Sequence, residues 1–210
     1  MTGTLFIIAA PSGAGKTTLV RSLSNTVPNL KVSVSCTTRA PRPGEVDGVD
    51  YHFINDQQFD EMVRQKAFLE HEQVFDYRYG TPRRWLEEQL AAGNDIILEI
   101  DWQGARDVRA MLPEQVLSIF ILPPAITTLE QRLRDRGQDD EKTIYRRMRD
   151  AMAELSHFGE FDHLVINVNI DTALAELRAI IEARRRRERY SGPDRRKFAE
   201  SLMTEGSKIQ

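Results

Sequence analysis

The sequence predicts an α/β fold in which a parallel sheet carries helices on both faces. Three observations predict it. Short, almost continuous apolar runs occur at 4–10, 95–101 and 117–124, the look of strands buried on both sides. Amphipathic segments with helical spacing alternate with them. Between the first run and the first helix lies a glycine-containing turn, at 10–17.

The elements follow in order. Residues 4–10 lie between Gly3 and Pro11 and read as a buried strand. "KTTLVRSLSN" places Leu19, Val20 and Leu23 on one helical stripe. "KVSVSCTTR" (31–39) alternates and is β-branched, so it reads as a strand, and "APRPGEVDGVDY" (40–51) as a loop rich in Pro and Gly. In 56–70 the spacing of Phe59, Met62, Val63 and Phe68 predicts a helix capped by Asp56. Another is expected over 81–94, with Thr81 as cap, Pro82 in the first turn and Gly93 at the end. "DIILEID" (95–101) reads as a central strand, and "LSIFILPP" (117–124) as a strand stopped by two prolines. Two helical segments joined through "RGQDD" fill 128–155, "HLVINVN" (163–169) is a last strand, and 171–190 a closing helix. The polar tail 191–210 carries little pattern and is expected to be loosely ordered.

At 210 residues the chain makes one sizeable domain, or one with inserted lobes. A net charge of -3 gives no ground for general nucleic-acid affinity. The "RRRR" run at 184–187 reads as a solvated helix C-terminus, favoured by the helix dipole. One cysteine, Cys36, excludes an intrachain disulfide and points to a reducing compartment. The run "LFIIAA" follows no basic region and falls far short of the ~20 apolar residues a bilayer span needs. The expectation is a cytoplasmic protein without membrane or nucleic-acid partners.

The turn Ala10-Pro11-Ser12-Gly13-Ala14-Gly15-Lys16-Thr17 has the parts of a phosphate-binding loop. Gly13 and Gly15 let successive N–H groups turn inward at a helix N-terminus, which makes an anion nest. Lys16 can reach the β- and γ-phosphates and the Thr17 hydroxyl can ligate Mg²⁺. Ala10, where the pattern has its first glycine, ends the strand. Such a loop alone does not choose among a kinase, a GTPase, a motor ATPase and a binding protein.

The polar segment after the first helix narrows the choice. Arg39 and Arg42 flank a proline turn and can converge on one anion, with Tyr51 and Tyr79 adding phenolic donors. Glu70 follows the apolar "AFL" and Asp101 ends a strand. Either carboxylate can accept the adjacent N1–H and N2 amino donors of guanine, a pair adenine lacks. Ser35 or Thr81 can donate to O6 or N7. From spacing alone, an exposed helix-end carboxylate is the simpler reading of Glu70.

"APSGAGKT", "VSCTTRAPRPGEVDGVDYHF", "FLEHEQVFDYRYGTP", "LEIDWQGARDVR", "IFILPP" and "RLRDRGQDDEKTIYRRM" occur here in the order found in bacterial guanylate kinases. The resemblance covers about residues 3–183. It implies a single domain with a P-loop core (1–34, 83–125 and 153–190), an inserted GMP-binding lobe (35–82) and a helical lid (126–152). It implies transfer of the ATP γ-phosphoryl group to GMP, and to dGMP, with Mg²⁺. ATP would lie on Ala10, Pro11, Ser12, Gly13, Ala14, Gly15, Lys16, Thr17 and Thr18, with Thr17 on the metal. Arg39, Arg42, Tyr51 and Tyr79 would hold the GMP phosphate, and Ser35, Glu70, Thr81 and Asp101 would read the base. Glu45 resembles the residue that supports the phosphate-binding arginines. Lys16, Arg39, Arg132, Arg136 and Arg147 would offset charge during transfer. Glu99 stands where the family commonly has Asp, and "VINVN" replaces a frequent "VND" where an adenine-side contact near Asn167 is expected.

A non-catalytic interaction module of the same family is the rival reading. Such modules typically lose the loop lysine or the arginines, and Lys16, Thr17, Arg39 and Arg42 are all present. A homo-oligomer is compatible with the sequence.

Overall fold

The computed structural model describes residues 3–74, 76–135 and 140–191, with side chains through 187. Arg136 and the tail 192–210, which figure among the sequence expectations, lie outside the described residues.

Nine strands and seven α-helices are described: β1 (Leu5–Ala9), α1 (Lys16–Thr26), β2 (Leu30–Val32), β3 (Cys36–Thr37), β4 (His52–Phe53), α2 (Asp56–Arg64), β5 (Phe68–Val74), β6 (Tyr77–Pro82), α3 (Arg83–Ala91), β7 (Asp95–Glu99), α4 (Trp102–Met111), β8 (Val116–Leu122), α5 (Ile126–Asp135), α6 (Glu141–Leu155), β9 (His163–Ile166) and α7 (Ile170–Ser191). A five-stranded sheet has the order β2-β7-β1-β8-β9, and every pairing in it is parallel. Alternation along β1 explains its unbroken apolar run. Leu5 and Ile7 enter a core with Leu86, Leu90 and Val108 from α3 and α4. Phe6 and Ile8 enter the opposite core with Leu19, Leu23, Leu177 and Ile181 from α1 and α7. Each such side chain, fully withdrawn from water, contributes about 1.5–3 kcal/mol before entropy is counted. The carboxyl ends of β1 and β7 therefore lie side by side, where parallel sheets bind ligands.

A second sheet, β4-β3-β6-β5, is built from residues of the polar segment. It has its own small core, in which Phe59 of α2 packs with Phe68 of β5 and Cys36 of β3. Burial, then the nearby Asp47 carboxylate, pushes the Cys36 thiol up to about 11, so it stays an inert thiol.

Several local expectations are corrected. The helix expected over 56–70 ends at Arg64, and Phe68–Glu70 belong to β5. Lys66 takes a left-handed φ of 54°, which turns the chain out of the helix. The cap is Asn55, not Asp56: its side chain accepts Gln58 N–H at 2.8 Å while the Gln58 side chain accepts Asn55 N–H at 2.9 Å. The expected 31–39 strand splits into β2 and β3, which join different sheets. Thr81 is a residue of β6 rather than a cap, and α3 starts after Pro82 with no side-chain cap. The β5–β6 pair and α4 had no counterpart in the sequence reading.

Candidate active site

The phosphate loop connects β1 to α1. Gly13 and Gly15 have φ of 90° and 94°, a region costly to residues with a Cβ. Gly15 caps α1 with no side-chain hydrogen bond, which leaves the helix's first N–H groups open toward the cleft. The loop is braced from behind. Asn167 Nδ2 donates to Ala14 O at 2.7 Å, and Arg132 donates to Ala14 O at 3.2 Å and to Asn167 O at 3.3 Å. The Asn167 amide is thus occupied by the loop's own backbone.

At the end of β7, Glu99 accepts from Thr17 Oγ1 at 2.9 Å, and Lys16 Nζ lies 3.4 Å from Ile100 O. Asp101 caps α4 by accepting Gly104 N–H at 2.9 Å, which fixes its carboxylate at the cleft wall. Burial raises its pKa against the help of that N–H and of Lys16.

Glu70 lies on the inner face of β5, only 7% exposed. Thr81 Oγ1 donates to its Oε1. Burial pushes this carboxyl up to about 7, a shift that the Thr81 hydroxyl opposes and Asp101 and Glu72 assist. A Cβ on Gly104 would stand 2.8 Å from Glu70 Oε2, so α4 approaches this carboxylate through a glycine. The exposed helix-end reading of Glu70 does not hold, because the strand turns it inward.

Arg39 is 8% exposed and is held by Glu45 through two bonds, 2.8 and 3.0 Å. Glu45 also accepts Arg42 N–H at 2.7 Å. Burial works against the Glu45 carboxylate, but the Arg39 and Arg42 hydrogen bonds outweigh it and hold its pKa below the ordinary value. The Arg39 guanidinium lies 5.4 Å from the Tyr51 ring centre, and Tyr51 meets Tyr79 edge-on at 5.9 Å. Burial, then the Glu99 charge, pushes the Tyr51 phenol up to about 12, so it remains a hydrogen-bond donor.

Most of these groups line one cleft of about 250 Å³. The loop residues from Ala10 to Thr18, apart from Ala14, form one wall, with Glu99, Ile100 and Asp101 beside them. Ser35, Tyr51, Glu70 and Tyr79 form the other. Thr81 reaches the cleft through Glu70, and Arg39 lies behind the cleft residue Tyr51 and is held by Glu45, which does not line the cleft. Arg42 is exposed, Arg147 is half-buried on α6, and neither lines the cleft. Sequence reasoning missed Glu72, Val74, Gly104 and Glu154. Glu72 and Val74 are two and four residues beyond Glu70 on the same strand face, so recognising β5 would have found them. Glu154, near the end of α6, accepts Ser12 N–H at 3.1 Å; no local motif marked it.

Among the described residues no cluster of three or more acidic, histidine or cysteine side chains is suited to a metal, and no helix is long and apolar enough to cross a membrane.

The family described as "Guanylate kinase" matches residues 2–184. The chain is 56% identical over 185 residues to a guanylate kinase of Nitrosococcus oceani, covering 88% of this chain and 91% of that one. It is 53% identical over 187 residues to that of Salmonella typhimurium, covering 88% and 90%. The crystal structure of guanylate kinase from Anaplasma phagocytophilum is similar with a TM-score of 0.75 at 33% identity, covering 87% of this chain and 86% of that one.

Proposed function

This chain belongs to the guanylate kinase family and phosphorylates GMP at the expense of ATP, and we propose that it does so across the cleft between the phosphate loop and Glu70. The observation that carries this is the pairing of two unlike recognition elements in one cavity. An anion nest with Lys16 faces a buried carboxylate held by Thr81.

ATP phosphates lie on the Ala10–Thr18 loop, and the core, GMP lobe and lid are 1–34 with 83–125 and 153–190, 35–82, and 126–152. Glu70 accepts N1–H and the N2 amino group of guanine, with Ser35, Thr81 and Asp101 completing the base site. Arg39, Arg42, Tyr51 and Tyr79 bind the GMP phosphate, and Glu45 aims the arginines. The acceptor is already an anion, so no strong general base is needed. Its oxygen has to be held in line with the γ-phosphorus against charge repulsion. Lys16 and Arg39, with Arg132 on α5, Arg147 on α6, and Arg136, supply the offsetting charge.

Nucleotide kinases generally use Mg²⁺ with ATP. Thr17 and Glu99 fit it: a hydroxyl and a carboxylate, both hard oxygen donors, stand 2.9 Å apart beside the phosphate nest. When bound there, Mg²⁺ would neutralise charge on the β- and γ-phosphate oxygens.

The reading includes dGMP as a second acceptor, a cytoplasmic location, and no nucleic-acid or membrane partner, and it is compatible with a homo-oligomer. An ADP-release assay with GMP, dGMP, AMP, CMP and UMP tests it. GMP should be strongly preferred. No turnover with GMP, or a preference for AMP, overturns the guanine assignment.

A further inference from the structure

The free cleft contains a carboxylate that the transfer reaction does not call for. Glu154 reaches from α6 to the phosphate loop and accepts the Ser12 amide N–H at 3.1 Å. It thereby occupies a donor of the loop built to receive anions, inside the cleft that a polyanionic nucleotide has to enter. We propose that Glu154 is a positioning residue that couples nucleotide binding, above neutral pH, to uptake of one proton from solvent: ionised there and bound to Ser12 in the free enzyme, it becomes neutral when ATP fills the loop.

The charges around it argue for that direction. Lys16 on α1 is the cation facing it, while Asp101 at the start of α4 and Asp150 on its own helix are the facing anions. Burial, the largest influence, pushes the Glu154 carboxyl up to about 7, and Lys16 and the Ser12 N–H restrain the rise. Triphosphate binding removes one restraint, because Lys16 turns its charge to the phosphates. It also adds a new negative neighbour. Both changes favour the protonated acid. Neutral Glu154 can still accept from Ser12, so α6 stays tied to the loop, and it gains an O–H donor suited to a phosphate oxygen.

This inference rests on the ATP reading of the loop, and calorimetry separates the two. Mg·ATP is titrated into the full chain without GMP at pH 8, in two buffers of different ionisation enthalpy. The wild type should take up most of ~1 proton per nucleotide, and Glu154→Gln, which keeps the acceptor for Ser12, should lose that uptake. The wild-type Kd should rise between pH 7 and 9 relative to the variant's, approaching ~10-fold per pH unit. Binding without buffer dependence in the wild type overturns the proposal, as does equal uptake by Glu154→Gln. Glu154→Leu provides a second non-titrating variant if Gln disturbs the fold. Absence of nucleotide binding overturns the ATP reading, and this one with it.

Discussion

Thr81 and Glu70 are joined by a hydrogen bond between adjacent antiparallel strands, hydroxyl to carboxylate, at the back of the cleft. The bond selects which carboxylate oxygen is satisfied internally. Oε1 takes the Thr81 hydroxyl, while Oε2 lies against Gly104. A buried carboxylate at the cleft is costly without ligand and suited to a ligand that brings two donors.

Replacing Glu70 by Gln should therefore move stability and activity in opposite directions. Its pKa rises from 4.5 unfolded to about 7 folded. The folded state is thus favoured by a protonated Glu70: the contribution is full below about pH 4.5, shrinks as pH rises through 7, and is absent above. At pH 8 Glu70→Gln should gain up to about 3 kcal/mol in urea unfolding, with little change at pH 4.5. GMP turnover should fall roughly 10³-fold, because an amide presents a donor where guanine needs an acceptor. In the wild type KM for GMP should fall as pH rises through about 7, and the variant should lose that dependence. A variant that is destabilised at pH 8 and still efficient with GMP would sink the assignment.

Gly104 offers a test from the opposite wall. Its Cβ would stand 2.8 Å from Glu70 Oε2 and 3.4 Å from Asp101 Oδ1. Gly104→Ala should push the Glu70 carboxylate out of register. We expect KM for GMP to rise ~10-fold or more and KM for ATP to stay within about twofold, since a small misplacement is enough to spoil a two-donor contact. Equal damage to both constants would mean that α4 itself had moved.

Glu45 should behave as a support for Arg39. It makes two bonds to a guanidinium that is 8% exposed, and a third to Arg42 N–H. Glu45→Gln leaves the Arg39 charge buried with a weaker partner, so stability should drop by about 1–3 kcal/mol. KM for GMP should rise, because the arginine is no longer aimed, while ATP binding in the absence of GMP should hold. Loss of nucleotide binding at both substrates would contradict this division. Its pKa is lowered in the folded state, so the stabilisation it contributes is present at neutral pH and lost as pH falls through that depressed value.

What the sequence made legible was what local chemistry determines. The buried strands showed as apolar runs because parallel strands hide both faces, and the phosphate loop because its glycines and lysine are contiguous. The β5–β6 pair stays hidden when apolar Phe68 is grouped with Phe59, Met62 and Val63, although nine residues after Phe59 it falls about 180° round a helix from it, and nothing local announces the turn that Lys66 makes. A helix over those residues leaves Glu70 at a solvated end, although its resemblance to the family's base-reading position puts it on the site. The bonds of Arg132 and Asn167 to the loop carbonyl of Ala14 span 118 and 153 residues, and no period or motif encodes such contacts. Glu154 meets Ser12 across 142 residues for the same reason.

The bracing of the loop gives a last test, at Gly15. With φ of 94°, it occupies backbone space that an L residue enters at a cost of ~1–2 kcal/mol. An added Cβ would also stand 2.6 Å from Asn167 Nδ2, the atom that donates to Ala14 O. Gly15→Ala should break the nest from both sides, flattening the turn and pushing away the amide that holds it. The expected result is loss of ATP binding by at least ~10²-fold with GMP binding retained, since Glu70 and Arg39 are held by β5, β6 and Glu45 instead. Asn167→Ala removes the obstruction and the brace together while leaving the glycine conformation available. It should therefore weaken ATP by less than Gly15→Ala does, and the double variant should recover little. If Asn167→Ala fully restored ATP binding to Gly15→Ala, contact with the side chain rather than backbone conformation would be what makes glycine necessary there.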